Sequence, residues 1–214
     1  CNAFGIRYIN QNEKFDYLIL MDGDGEDRAV EIKSLVNKIQ SDPNTSVVAK
    51  RVKRSEGLFF KFLYQMHKLI TLLFTGKNIN FGNYSCLTKK DADIISSKPS
   101  LWSSYSGTVK KFIKNFNEIN STRGLRYFGP SKMSFFKLLI HSLSIVAVFK
   151  LQVILRSLII IFALYFTNFF SQNIENIIYF LLIIFNLVIF LISLRESEQG
   201  LIDSQNNLSS IDNQ

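Results

Sequence analysis

Residues 16–27 read DYLILMDGDGED, an apolar run that ends in a cluster of four acids. The run, residues 17–21, is rich in side chains that suit a sheet, which predicts a strand buried on both faces. The acids cannot belong to a core, because uncompensated anionic side chains packed together cost free energy. Ligands of open α/β sheets bind outside the carboxyl ends of the strands, where these acids fall. The stretch therefore predicts a divalent cation that carries a phosphorylated substrate.

An EF-hand loop and a helix-capping turn are the alternatives to such a cation site. An EF-hand loop needs Gly at its sixth position and Glu at its twelfth. Counting from Asp22, these positions hold Asp27 and Lys33, which excludes an EF-hand. A solvated acidic turn that caps the next helix stays open, because acids at a helix start interact favourably with the macrodipole. Asp27 can be such a cap even where Asp22 and Asp24 are ligands.

Two long apolar segments decide the class of protein. Residues 151–170 are apolar apart from Gln152, Arg156 and Asn168, and residues 177–194 carry no charge. Each segment is about long enough to cross a bilayer, and a pair of buried core helices is the alternative. The net charge of +8 suits any anionic partner, nucleic acid included. The apolar segments favour a membrane protein that binds the lipid bilayer and no nucleic acid.

The charges that flank these segments predict their orientation. Residues 171–176, between the segments, contain no Lys or Arg. The flanking cations are Lys132, Lys137, Lys150 and Arg195. By the positive-inside rule, both ends of the hairpin and the globular part are cytoplasmic, and Arg156 snorkels to that interface. A two-span hairpin can pack against copies of itself, so we also expect homo-oligomers.

The rest of the chain divides around these features. Residues 16–50 read as a strand–helix–strand unit, residues 81–88 as a further strand, and residues 58–74 as a helix of the core or of the membrane surface. Only two or three strands are predicted before residue 130, and residues 1–8 resemble the end of a helix already in progress. We therefore expect residues 1–131 to be the carboxyl-terminal part of a globular domain. After it we expect an interfacial amphipathic helix at 132–150, a transmembrane hairpin at 151–194 and a polar, disordered tail at 195–214.

Four motifs, taken in order, resemble one family. They are the DGD of residues 22–24 with Glu26 and Asp27, RVKR at 51–54, FGNYS at 81–85, and the pattern of Arg123, Arg126, Gly129, Ser131 and Lys132. This set, followed by a two-span hairpin, resembles the family 2 glycosyltransferases, and within them the polyprenyl-phosphate type related to dolichol-phosphate mannosyltransferase. The likeness extends over nearly the whole chain. The first strand–helix–strand unit, which in that family holds the nucleotide base and ribose, has no counterpart in the sequence.

The resemblance implies both a fold and a reaction. The fold is α/β, a GT-A-type, Rossmann-like nucleotide-sugar domain that is incomplete at its amino terminus. The reaction is transfer of a sugar from a nucleotide-sugar donor to a polyprenyl phosphate at the cytoplasmic membrane face. Asp22 and Asp24 are the expected catalytic residues, and with Glu26 they are the expected ligands of Mg²⁺ or Mn²⁺, which neutralises charge on the leaving diphosphate.

Five further residues are candidate ligands for the phosphates of donor or acceptor: Arg51, Arg54, Arg126, Ser131 and Lys132. Arginine suits phosphate because its guanidinium binds two oxygens at once, although any one of these cations can also be ordinary solvated surface. Asn83 lies in the expected acceptor loop, where the family often has Asp. Because Asn cannot act as a base, the acceptor chemistry is open. His67 and His141 are interpreted as structural.

Two alternatives to transfer onto a lipid follow from the same residues. The acceptor can be a cell-surface glycan instead of a polyprenyl phosphate. The chain can also be a truncated, non-catalytic membrane protein that binds a complete transferase, since half of the expected nucleotide site is missing from it.

Overall fold

The computed structural model describes residues 2–53, 58–127, 129, 134–167, 169–200 and 202–203. The strands are β1 (Tyr17–Leu20), β2 (Val47–Lys53), β3 (Phe81–Thr88) and β4 (Asn117–Thr122). The helices are α1 (Asn2–Asn12), α2 (Ile32–Ser41), α3 (Leu58–Thr75), α4 (Lys89–Ser96), α5 (Ser100–Ser103), α6 (Tyr105–Phe112), α7 (Phe135–Ala147), α8 (Lys150–Thr167) and α9 (Gln172–Ser193). The chain thus combines helices with a sheet, which confirms the predicted α/β class.

The four strands form one mixed sheet in the order β1-β3-β2-β4. Strand β3 runs antiparallel to both β1 and β2, whereas β2 and β4 are parallel. Strand β4 is absent from the sequence prediction, because its residues NEINST form no apolar run and its side chains are mostly solvated. The prediction that β1 is buried on both faces is wrong. The strand lies at an edge of the described sheet, and Tyr17 at its start is exposed.

Each face of the sheet packs against helices. On one face, Leu35 and Ile39 of α2 contact Val47 and Ala49 of β2, together with Tyr84. The opposite face carries Val48 and Leu87, which pack against α1, α4 and α6. Alternate residues of β2 therefore enter opposite cores, as a pleated strand requires.

A third apolar cluster joins four helices outside the sheet. It is formed by Phe74, Val146, Val153, Leu182 and Ile189, which come from α3, α7, α8 and α9. Helices α8 and α9 are long and apolar enough to cross a membrane, by length and composition. Most of their large apolar side chains are exposed, among them Leu158, Phe162, Phe180 and Leu187. Buried core helices would show the opposite pattern, so that alternative is weakened.

Polar contacts tie these helices together. The Arg156 guanidinium of α8 donates from Nη1 to the carbonyl oxygen of Leu73, in the last turn of α3, over 3.0 Å. Asn186 of α9 donates from Nδ2 to the Ser157 hydroxyl of α8 over 2.8 Å. Arg156 therefore has a protein partner, which the snorkelling expectation did not include.

Helix α1 and the start of the segment predicted as a tail also contact the folded part. Helix α1 packs against α4, and Arg7 Nη1 donates to the Ser96 carbonyl oxygen over 3.3 Å. In the segment predicted as a disordered tail, Glu196 pairs with Lys150 over 3.2 Å. Residue 201 and residues 204–214 of that segment lie outside the described residues.

Candidate functional site

The four acids lie in a turn at the carboxyl end of β1, here called the acid turn (residues 22–27). Its own side chains organise its backbone. The Asp22 N–H donates to Asp27 Oδ2 over 2.9 Å, and the Glu26 N–H donates to Asp24 Oδ1 over 3.1 Å. Such short-range carboxylate contacts are typical of Asp in turns. Asp22 and Asp24 are half-buried at the end of the strand.

A second segment covers the acid turn. Residues 123–127 follow β4 and are here called the arginine loop. The Gly124 N–H donates to the Glu26 carbonyl oxygen over 2.8 Å, and the Tyr127 N–H donates to the Asp24 carbonyl oxygen over 2.9 Å. Gly25 has φ +91°, and a Cβ there would lie 2.8 Å from the Tyr127 ring. The two segments therefore form one compact unit.

Ion pairs strengthen this contact. The Glu26 carboxylate pairs with Arg123, and its Oε1 lies 2.9 Å from Arg126 Nε. Arg126 also reaches Asp24, with 3.2 Å between Nη1 and Oδ2. Arg126 was a candidate phosphate ligand and Glu26 a candidate metal ligand. The structure brings both to one place, where they bind each other.

Asp27 has a supporting position beneath the turn. Its carboxylate is buried and lies 3.7 Å from Arg51, measured between Oδ1 and Nη2. Burial raises the pKa of Asp27, while the hydrogen bond from the Asp22 N–H and the charge of Arg51 lower it. The expectation that Asp27 caps the next helix is wrong. Arg28 and Glu31 hold the cap positions there, without a side-chain capping bond, and Asp27 accepts from Asp22 instead.

Asn83 completes the site from the neighbouring strand. The pairing of β1 with β3 sets Leu20 opposite Ser85, so Asn83 follows beside Asp22. Asn83 Nδ2 donates to Asp22 Oδ1 over 3.0 Å. This amide therefore orients one of the expected catalytic carboxylates.

Arg51 reaches the site across β3. It runs close to the Gly82 backbone, where a Cβ would lie 2.8 Å from its Nη2. Arg54, Ser131 and Lys132 lie outside the described residues, so their predicted roles stay predictions.

Whether the site can hold a metal ion depends on the carboxylates that it offers as ligands. In the part of the chain that the structure describes, no group of three or more His, Cys, Asp or Glu residues could hold a metal ion. Glu26 is engaged by two arginines, whereas Asp24 has one arginine partner and Asp22 accepts from the Asn83 amide, so the two aspartates are the less engaged carboxylates. In phosphate-handling sites, Mg²⁺ is usually held by one or two carboxylates together with substrate phosphates. Asp22 and Asp24 fit that kind of site.

Two residues have surroundings that were not expected from the sequence. Arg123 stood in the family-like pattern but was not assigned a function. His141 of α7 was interpreted as structural. The pKa of His141 is lowered, first by burial and then by the charges of Arg195 and Arg51, whereas the charge of Asp22 raises it. No local pattern could have indicated this, because the residues come from separate elements.

Comparison with known proteins assigns neither a family nor a function to the chain. No protein-family model matches the chain, and no curated protein matches its sequence significantly.

Proposed function

We propose that the chain is part of a metal-dependent family 2 glycosyltransferase with a GT-A-type fold, which transfers a sugar from a nucleotide-sugar donor to a polyprenyl phosphate. One observation carries the proposal: two half-exposed carboxylates, Asp22 and Asp24, lie at the carboxyl end of a strand and are bordered by Asn83 and three arginines. Acids beside arginines suit a substrate that combines a metal ion with phosphates.

The two aspartates would hold Mg²⁺ or Mn²⁺ together with the donor diphosphate. When bound, the ion neutralises the negative charge that develops on the departing diphosphate. Asn83 keeps the Asp22 carboxylate oriented through its amide, and Asp27 fixes the backbone of Asp22 from below. The acceptor phosphate is already anionic and needs little help from a base, which agrees with Asn at position 83.

The arginine loop would bind donor phosphate. Arg126 touches both Asp24 and Glu26, so its guanidinium already lies where a metal-bound diphosphate would arrive. Guanidinium groups bind phosphate oxygens in pairs, and Glu26 holds this one in orientation. Arg123 would add positive charge from the same loop.

The membrane supplies the acceptor in this proposal. Helices α8 and α9 would form a two-span hairpin with both ends cytoplasmic, and α7 would lie at the interface. The exposed apolar residues of α3 support a membrane position for that helix too: Phe62, Met66, Leu69 and Leu73. They recur at helical spacing on one side, the pattern of a helix that lies on a bilayer.

The same ion pairs give the non-catalytic alternative its support. Asp24 and Glu26 are already neutralised by arginines, so the acid turn can be a purely structural joint. In that case the chain would bind a complete transferase and hold no metal. A glycan acceptor has no observation of its own in favour of it.

The proposal is tested by comparing sugar transfer by the Asp24→Ala variant with transfer by wild type. Membranes that carry the wild-type chain are supplied with Mg²⁺ or Mn²⁺, labelled nucleotide sugars and a long-chain polyprenyl monophosphate. We expect labelled lipid from wild type, loss of it with a chelator, and a decrease of at least about 100-fold in the variant with unchanged membrane insertion. Glu13→Ala removes an exposed acid elsewhere and serves as the matched control. Equal transfer by wild type and Asp24→Ala would refute the assignment.

A further inference from the structure

The carboxyl end of α3 packs against both long apolar helices at a distance from their own ends. The Phe74 ring, in the last turn of α3, lies 4.5 Å from the Phe185 ring of α9, measured between ring centroids. The Leu73 carbonyl oxygen of the same turn accepts from Arg156 Nη1 of α8 over 3.0 Å. Two separate contacts, one to each helix, therefore fix the position of this turn along the hairpin.

The depth of these contacts follows from the rise of an α-helix. Helix α8 begins at Lys150, so at 1.5 Å per residue Arg156 lies about 9 Å along it. Helix α9 ends at Ser193, and Phe185 lies about 12 Å before that end. One leaflet of the hydrocarbon core is about 15 Å thick, half of the whole core. In the proposed hairpin, the end of α3 therefore lies inside the cytoplasmic leaflet.

The side chains near this end of α3 suit such a position. Residues 69–76 carry no charge. The hydroxyls of Thr71 and Thr75 donate to backbone carbonyl oxygens one turn earlier, over 2.8 and 2.6 Å, so their hydrogen-bonding capacity is used inside the helix. The large apolar side chains exposed in the last two turns are Leu69, Leu72 and Leu73. The surface of this end is therefore apolar.

Two cations lie at the end of this apolar stretch. Arg156 is held against the Gly76 backbone, where a Cβ would lie 2.5 Å from its Nη2. Lys77 is the next residue in the chain, and its backbone N–H donates to the Thr75 hydroxyl over 3.1 Å. Both cationic residues are exposed. Their backbone and guanidinium contacts place them at the same turn of the chain.

The two cations have no anionic partner among the residues that the structure describes. Within those residues, Arg156 donates to a carbonyl oxygen and the Lys77 side chain forms neither a hydrogen bond nor an ion pair. A charge at membrane depth is costly, and local thinning of the bilayer lowers that cost by bringing water and lipid phosphates to it. Basic sites between helices on the cytoplasmic side bind the head groups of anionic lipids.

We propose that the end of α3 is inserted in the cytoplasmic leaflet, where Arg156 and Lys77, here called the lipid site, bind the phosphate of an anionic phospholipid. The assignment rests on the membrane hairpin of the proposed function and not on sugar transfer. A guanidinium offers paired donors to phosphate oxygens, and lysine adds a second positive charge. Leu155 and Ile159 of α8, one residue before and three after Arg156, are exposed. Acyl chains therefore find apolar surface beside the cations, whereas free phosphate would gain only the polar contacts.

Retention of lipid by the detergent-purified full chain, measured by native mass spectrometry, tests the lipid site. The probe is phosphatidylglycerol, with phosphatidylcholine as the neutral comparison and glycerol phosphate as a soluble competitor. We expect Arg156→Gln and Lys77→Gln each to weaken binding of phosphatidylglycerol about fivefold, as removal of one cation near anionic lipid predicts. Arg156→Lys keeps the charge and should stay within about threefold of wild type. Lys33→Gln removes an exposed cation of α2 and should have no effect.

The lipids and variants separate the possible outcomes. Equal retention of phosphatidylcholine and phosphatidylglycerol would overturn a site for an anionic lipid, and so would effective competition by glycerol phosphate. Arg156→Gln also removes a contact that holds α3. Lys77→Gln leaves that contact intact and decides the outcome if Arg156→Gln fails to fold. Binding of phosphatidylglycerol at the wild-type level by Lys77→Gln would overturn the proposal.

Fluorescence quenching tests the insertion of α3 directly. Trp102→Phe removes the single tryptophan of the chain and gives a silent background. In nanodiscs whose lipids are brominated on their acyl chains, we expect strong quenching of Leu72→Trp. Val30→Trp, at an exposed position before α2, is the control and should be quenched little. Equal quenching of the two variants would overturn the insertion of α3 in the leaflet.

The inference and the proposed function can fail separately. Asp24→Ala should keep full binding of phosphatidylglycerol while it loses sugar transfer. Selective lipid binding that depends on Arg156 and Lys77, without any sugar transfer, would support the lipid site and contradict the transferase. Sugar transfer together with lipid binding that ignores both cations would contradict the lipid site alone.

Discussion

Gly25 is the residue on which the geometry of the acid turn depends most directly. Its φ of +91° lies in the region that side chains rarely adopt, and the Tyr127 ring occupies the place of a Cβ. The hydrogen bond from the Tyr127 N–H to the Asp24 carbonyl oxygen holds that ring over the turn. A side chain at Gly25 would therefore strain the backbone and push the arginine loop away at the same time.

We expect Gly25→Ala to lower the free energy of unfolding by about 1–3 kcal/mol, because it combines backbone strain with a steric clash. Thermal unfolding of the detergent-purified chain measures the effect. Gly23→Ala is the matched control, since no atom lies within 4 Å of a Cβ at that position. Equal shifts in melting temperature for both variants would show that the turn and the loop do not pack as described.

At the scale of elements, Arg156 explains how a charged residue fits an apolar helix. Its guanidinium satisfies the Leu73 carbonyl oxygen near the end of α3. Gly76, with φ +69°, ends that helix and leaves room for the guanidinium, which would lie 2.5 Å from a Cβ. Helix ends leave carbonyl groups without partners, and an arginine is a suitable donor for them. Arg156 thus joins α3 to α8.

We expect Arg156→Leu to destabilise the α3–α8 contact by about 1–3 kcal/mol, because it removes a charge-assisted hydrogen bond and leaves a carbonyl without a donor. Limited proteolysis after α3, around residues 77–80, should become faster. Arg156→Lys retains a donor and should have a smaller effect, about half or less. Cleavage at the wild-type rate in Arg156→Leu would mean that the contact contributes nothing to holding α3.

At the scale of the whole molecule, apolar surface is the dominant feature outside the sheet. Helices α3, α8 and α9 expose many large apolar side chains, such as Leu69, Phe162 and Phe180. Soluble monomers rarely expose continuous apolar patches of this extent. The globular part, by contrast, has two ordinary cores, one on each face of its sheet. The molecule thus has one region suited to water and one suited to lipid.

The proposed hairpin predicts a specific labelling pattern. In a background with Cys1→Ser and Cys86→Ser, we expect Asn173→Cys to react with a membrane-impermeant maleimide in intact cells. Glu198→Cys should react only after permeabilisation, because the positive-inside rule sets that end in the cytoplasm. Labelling of both positions from the same side would contradict a two-span hairpin.

The sequence by itself determined the features that can be read from local patterns along the chain. Hydrophobic runs and helical spacing predicted β1, β2, β3 and the helices α2 and α3, because strand and helix periods can be read along the chain. The acid turn was found from its cluster of carboxylates, and Asn83 was singled out only by the family resemblance. Length and composition predicted the two apolar helices, since the thickness of a bilayer sets their length directly.

Only the tertiary structure decided which of these groups meet. Strand β4 is polar and has no pattern of its own, so its place depends on pairing with β2. Glu26 meets Arg123 and Arg126, and Asn83 meets Asp22, across large separations in sequence. Periodicity describes neighbours along the chain, whereas an ion pair depends on how whole elements pack. The sequence therefore determined the elements and the chemistry at their ends, and the packing of the elements decided the partners of each charge.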